Sequence, residues 1–236
     1  MLKIISFNML NPRHGLDWEI PQAYDIIDGE KVSNWEERLA KFKEFLSNEQ
    51  PDIVLLQEVP GFAKAEIAQL MNIRVGSIKK SDLTNKNTAI LLKDCDEYSK
   101  VKTTVGNSDR TVIKAKIKGQ SYILGSMHLK GYNLNINEEK QALGLSDLNS
   151  ILDTIKNEQT DFMIIGGDYN EHIRPTAARY DATIASGFTT QVDYDVTEVN
   201  AGTSIDGIFV KGLKPVKSYS VDIGASDHYA VVMEVE

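Results

Sequence analysis

The chain has 236 residues, 42% hydrophobic and 25% charged, values of an ordinary globular protein that exclude a disordered tail, a collagen and a coiled coil. Lysine and arginine number 26 against 34 aspartate and glutamate, a net charge of -8 that disfavours non-specific grip on a polyanion unless metal ions sit among the carboxylates. The single cysteine, Cys95, rules out an internal disulfide, and no apolar run reaches the roughly 18 residues of a membrane span. A single domain over residues 1–236, cytoplasmic and with no obligate protein partner, is the expectation.

Residues Met1 to Leu10 read as a first strand (Lys3 to Met9) and not as a signal peptide. The connection Asn11 to Val32 carries Pro12, Gly15, Pro21 and Gly29 and is long enough to act as a cover over a site. In it Arg13, His14, Trp18 and Tyr24 are candidate substrate contacts. Ser33 with Glu36 has the spacing of a capping box, and Trp35, Leu39, Phe42 and Leu46 form one apolar stripe of the helix behind it. A strand is expected over Asp52 to Gln57, a short helix over Lys64 to Met71, and strands over Thr88 to Lys93, Arg110 to Ile117 and Tyr122 to His128. In Val112 to Lys118 the lysines alternate with apolar residues, the pattern of a strand with one solvated face. Asn137 is placed to cap a helix whose Ala142, Leu145, Leu148, Leu152 and Ile155 keep helical spacing. Strands over Asp161 to Ile165, Ile205 to Val210 and Tyr229 to Val235, and a helix around Thr176 to Ser186, complete the pattern. Helices interrupt the strands without strict alternation. Two mixed β-sheets packed face to face, with helices outside, fit this better than a doubly wound parallel sheet.

The polar residues fall at the ends of apolar runs. Ile4-Ile5 leads to Asn8, Ile53 to Leu56 leads to Gln57 and Glu58, and Tyr122 to Met127 ends at His128. Phe162 to Ile165 leads through Gly166-Gly167 to Asp168 and Asn170; Asp206 follows Ile205; Asp227 and His228 precede the last strand. Each alone reads as a turn or cap residue. Together they mark rigid strand ends where carboxylates, amides and imidazoles converge on one site. The glycine pair matches no nucleotide-binding loop.

In order, Ser6-Phe-Asn8, Leu56-Gln-Glu58, His128-Leu, Gly167-Asp168-Tyr-Asn170, Ile205-Asp206 and Ser226-Asp227-His228 resemble the endonuclease/exonuclease/phosphatase superfamily, from residue 6 to residue 228. Asn34-Trp35-Glu-Glu-Arg38 and Glu139-Lys-Gln141 look like its deadenylase/nocturnin/2′-phosphodiesterase subgroup. Trp35 and Arg38 also read, more simply, as a core anchor and a solvated flank. Ala230, where the family often has proline, and Tyr169, where phenylalanine is commoner, are mild departures. The resemblance implies a four-layer α-β-β-α sandwich and hydrolysis of phosphoric esters by activated water.

Such chemistry needs a divalent cation, a base and donors for developing charge, and oxygen ligands suit Mg²⁺ or Mn²⁺. Glu58, assisted by Asn8, is the first metal ligand, with Asp227 at the same or a second site. By the resemblance Asp168 orients or deprotonates water, and Asn170 holds the phosphate or the water. Asp206 pairs with His228, which donates to the phosphate, and His128 contacts it from the other side. Arg110 is a further candidate phosphate ligand, or a surface residue starting a strand. The substrate expected is single-stranded nucleic acid or a small nucleotide phosphodiester. The alternatives are a nucleotide, inositol or lipid-headgroup phosphate, and an inactive binding module.

Overall fold

The computed structural model describes residues 1–10, 24–27, 30–76, 87–103, 108–131, 138–199 and 202–236. Arg13, His14 and Trp18 of the expected cover, and the expected cap Asn137, lie outside them. Within the long connection, Tyr24–Ile27 (β2) and Glu30–Ser33 (β3) pair as an antiparallel ribbon.

One mixed sheet contains Leu2–Asn8 (β1), Ile53–Gln57 (β4), Ile73–Gly76 (β5), Ala89–Leu92 (β6), Pro215–Val221 (β12) and Ala230–Val235 (β13), in the order β12-β13-β1-β4-β6-β5. The other contains Glu97–Lys100 (β7), Asp109–Ile117 (β8), Gln120–His128 (β9), Phe162–Asp168 (β10) and Asp206–Lys211 (β11), in the order β11-β10-β9-β8-β7. Each sheet has one parallel pair, β1 with β4 and β9 with β10. Parallel neighbours need a long crossover. Helix α1 (Trp35–Glu49) supplies the first and helix α3 (Glu138–Lys156) the second. Two shorter helices, α2 (Lys64–Ile67) and α4 (Ala178–Ala185), follow β4 and β10.

Period-two alternation assigns the layers. Ile4, Ile53 and Leu55 meet Ile113, Leu124, Ile164 and Ile208 between the sheets. Their neighbours Ile5, Val54 and Leu56 turn outward onto Trp35, Leu39, Phe42 and Leu46 of α1. On the far side Ile123 and Ile165 pack on Leu148, Ile151, Leu152 and Ile155 of α3. Three apolar seams thus separate four layers, α-β-β-α, as the sequence predicts. Among the described residues no helix is long and apolar enough to cross a membrane.

Two local expectations are corrected. Helix α1 has Asn34 as its N-cap, without a side-chain cap hydrogen bond; Ser33 pairs with Tyr24 at the end of β3 and stands one residue too early to cap. Helix α2 stops at Ile67, because Gln69 and Leu70 donate to Glu66 and Ile67, a tighter i to i+3 pattern that ends the α-helix short of Met71.

Gly167 explains the glycine pair. Its φ is 143°, and a Cβ there would lie 1.8 Å from the carbonyl oxygen of Met127, its register partner on β9. Only glycine lets β10 approach β9 so closely just before Asp168. Gly167→Ala is expected to destabilise the fold by at least about 1–3 kcal/mol, read as a lowered urea midpoint at unchanged slope. An unchanged midpoint would mean that the strand end relaxes freely.

Candidate active site

The topology brings the strand ends together. Asn8, His128 and Asp168 end β1, β9 and β10, and Glu58 follows β4; Asp206 begins β11, and Asp227 and His228 precede β13. The parallel pairs present their C-terminal ends at this edge, and the antiparallel β11 and β13 begin there. One sheet contributes Asn8, Glu58, Asp227 and His228; the other contributes His128, Asp168 and Asp206.

Asn8 is the hub. Its Nδ2 lies 3.3 Å from Glu58 Oε1, 3.2 Å from Asp168 Oδ2 and 3.4 Å from His228 Nε2. Its Oδ1 accepts the Leu10 N–H at 3.0 Å and keeps a second lone pair. His128 Nε2 stands 3.6 Å from Asp168 Oδ2 and 3.9 Å from Glu58 Oε1. His228 Nε2 is 3.9 Å from both Asp168 Oδ2 and Asp227 Oδ1, while its Nδ1 lies 2.8 Å from Asp206 Oδ2. That short contact commits the Nδ1 proton to Asp206 and leaves Nε2 facing the other groups. Asn170, held at φ 47°, donates its N–H to Asp168 Oδ1 at 2.7 Å and its Nδ2 to Leu129 O at 3.0 Å. Gln141 of α3 in turn donates to the Asn170 carbonyl at 3.2 Å. Asn170 therefore reaches the cluster through the carboxylate that it braces.

The electrostatics follow from burial. Asp168 is raised above the ordinary carboxylate range, first by burial and then by the Asp206 charge, against the pull of His128 and His228. Burial also raises Asp227, with Glu58 and Glu198 adding to it and His228 opposing. For His228, burial works against the charged form, but Asp206, Asp227 and Asp168 outweigh it and hold the imidazole well above its usual value. Burial first, and neighbouring carboxylates after it, make the charged forms of Asp168 and Asp227 costly. A hard divalent cation among these oxygens would offset that cost, and carboxylate and amide oxygens are the donors that such an ion takes. Asp168, Asp206 and His228 offer ligand atoms within 4.8 Å of one another, but His228 Nδ1 already serves Asp206, so this trio is a hydrogen-bonded relay more than a cage.

Arg110 makes two local hydrogen bonds. Its Nε donates to Thr103 Oγ1 and its Nη1 to Ser108 O, both at 2.9 Å, and these partners lie beside its own strand rather than in the cluster. Arg38 is not a solvated flank. It is 1% exposed, and its guanidinium binds the carbonyls of Met9, Leu10 and Ala225, joining the loop after β1 to the loop before Asp227. Burial pushes it down to about 10, with Asp227 and Glu58 opposing. Arg179, equally buried, binds the carbonyls of Tyr169, Lys130 and Gln141, bracing the loops after β9 and β10. Trp35 packs beneath Arg38, 5.5 Å from ring centre to guanidinium carbon. Tyr169 packs on Phe209 with ring centroids 5.1 Å apart and the planes tilted by 47°, a core contact. Beneath the cluster Gln57 Nε2 donates to Ser126 Oγ at 3.0 Å, a bond between the two sheets next to Glu58 and His128.

A sequence model of the Endonuclease/Exonuclease/phosphatase family matches residues 5–228. The chain belongs to that family. Its members hydrolyse phosphoric esters as phosphodiesterases or phosphatases. Sequence comparison with curated proteins gives no significant match. Among solved structures, humanized D. rerio TDP2 is similar at TM-score 0.71 and 18% identity, over 100% of this chain and 98% of its own. The human nocturnin catalytic domain with bound sulfate anion has TM-score 0.69 and 17% identity, over 100% and 94%. The mannosyl-6-phosphatase of Bacteroides thetaiotaomicron has TM-score 0.69 and 16% identity, over 100% of both chains. At these identities the likeness shows the shared fold and does not choose among the family's substrates.

Proposed function

We propose that this family member is a divalent-metal-dependent phosphodiesterase, a nuclease acting on single-stranded nucleic acid or a small nucleotide. The observation that carries the reading is the Asn8 amide in contact with Glu58, Asp168 and His228 at once, with Asp206 behind the imidazole. Glu58, with Asn8 and Asp227, would hold Mg²⁺ or Mn²⁺, which supplies neutralisation of phosphate oxygens. Asp168 takes the proton of the attacking water, with Asn170 holding its carboxylate in line. His228, kept charged by Asp206, donates through Nε2 to a phosphate oxygen, and His128 donates from the opposite side. A structure of D. rerio TDP2 complexed with a single-strand DNA product supports a strand of nucleic acid as the substrate of this fold. The net charge of -8 disfavours a long duplex tracking over the surface more than a short strand, because charges beyond about 8 Å are screened.

The test is a panel of single-stranded RNA, single-stranded DNA, duplex DNA, nucleoside 2′-phosphates and inositol phosphates with Mg²⁺, Mn²⁺ or EDTA. Cleavage of single strands that stops with EDTA and returns with excess Mg²⁺ is the expected result. Release of inorganic phosphate from the monoesters alone would favour the phosphatase reading, for which the mannosyl-6-phosphatase on the same fold speaks. No turnover of any substrate in any metal would leave a binding module.

A further inference from the structure

We infer that Thr197 is a positioning residue for the Asp206–His228 pair; the inference rests on the reading of that pair as part of the hydrolytic machinery. Asp206 starts β11 and His228 precedes β13, so the two side chains meet from different sheets. Thr197 is fully buried between them. Its Oγ1 accepts two backbone N–H groups, Ile205 at 2.9 Å and Asp206 at 3.0 Å, and its carbonyl accepts the Tyr229 N–H at 2.7 Å. The next residues extend the stitch. Glu198 bridges to His228, and Val199 donates to Asp227 O at 2.9 Å. One threonine thus holds the backbone on both sides of the pair.

The Asp206 carboxylate depends on this placement. Its Oδ2 meets His228 Nδ1, while its Oδ1 is buried and, among the described residues, has no hydrogen-bond partner. Among the described residues no second donor clamps the carboxylate, so its direction is set by the backbone from which it projects. That backbone is fixed by the Thr197 hydroxyl at the N–H and by Tyr194, whose hydroxyl donates to Asp206 O at 3.2 Å. A valine at 197 keeps the shape but turns a methyl toward two buried donors and leaves both unpaired. Serine keeps the acceptor.

The experiment pairs Thr197→Val with Thr197→Ser and reads two things. The first is the imidazole ¹⁵N shifts of His228 in the metal-free protein, where 4 histidines make assignment simple. The second is kcat and KM on bis(p-nitrophenyl) phosphate at saturating Mg²⁺. Thr197→Val is expected to move the His228 Nδ1 shift away from that of the Asp206-bonded form and to lower kcat about 10–100-fold with KM little changed. Thr197→Ser is expected to keep both. Unaltered shifts and kcat in Thr197→Val would overturn the inference, as would equal losses in both variants, which indicate packing and not the hydroxyl. Should Thr197→Val fail to fold, Thr197→Ala, whose smaller side chain leaves room for a water at the two N–H groups, is scored on the same readouts against Thr197→Ser. If the wild type cleaves no phosphodiester, the functional reading fails, and the ¹⁵N shifts still decide what Thr197 does.

Discussion

Asp168→Asn is expected to lower kcat by about 10²–10⁴-fold, and no concentration of Mg²⁺ or Mn²⁺ will restore it. The carboxylate is 2% exposed, braced by the Asn170 N–H at 2.7 Å and in contact with Asn8 and His128. An amide in its place keeps the shape and one acceptor, for the Asn170 N–H, but turns its NH2 toward the Asn8 donor and cannot take a proton from water. Such a loss belongs to the transition state and appears in kcat. Glu58→Gln is the contrasting variant. It keeps one carbonyl oxygen and loses the charge, so the defect lies in metal occupancy and excess metal recovers part of the rate. Titrating metal against rate for both, with folding checked by circular dichroism, separates the roles. Full rescue of Asp168→Asn with none for Glu58→Gln would exchange them, and near-wild-type rates in both would remove the cluster from catalysis.

The layers and the cluster were legible in the chain because both rest on local patterns. Ile4-Ile5 and Leu55-Leu56 alternate in and out of two seams, and acidic, amide and imidazole groups stand where apolar runs stop. What was illegible lies in long-range partners. Arg38 reaches Ala225 and Thr197 reaches Tyr229, and no spacing rule connects such positions. For Arg38 a signal existed: it lies three residues after Trp35 and four before Phe42, on the buried stripe of α1, where a solvated arginine does not belong. For Arg110, two of the five guanidinium donors go to Thr103 Oγ1 and Ser108 O, local partners that the strand pattern does not foretell. Strand β7 was missed because Glu97–Lys100 is exposed throughout and pairs with β8 on one edge only, which leaves no apolar alternation to read.

Asp206→Asn tests the other half of the site through its pH dependence. The charge of Asp206 acts on two groups in the same direction: it raises His228 and it raises Asp168. Removing it lets both fall, so both limbs of the kcat–pH profile move toward acid. The alkaline limb moves because an imidazole no longer held above its usual value loses its proton earlier. The acidic limb moves because Asp168 ionises at a lower pH. At alkaline pH the loss is largest, on the order of 10²–10⁴-fold, since proton donation and imidazole orientation fail together. Stability carries the matching sign. The folded pKa of His228 lies above its unfolded value, so its contribution is fully present below about pH 6.5 and is lost as pH rises through the folded value. Urea denaturation across this range is expected to show that decline in the wild type and a flatter profile in Asp206→Asn. An alkaline limb unmoved by the substitution would show that His228 holds its proton without Asp206, and the pair would then be a structural contact and not the source of the charge.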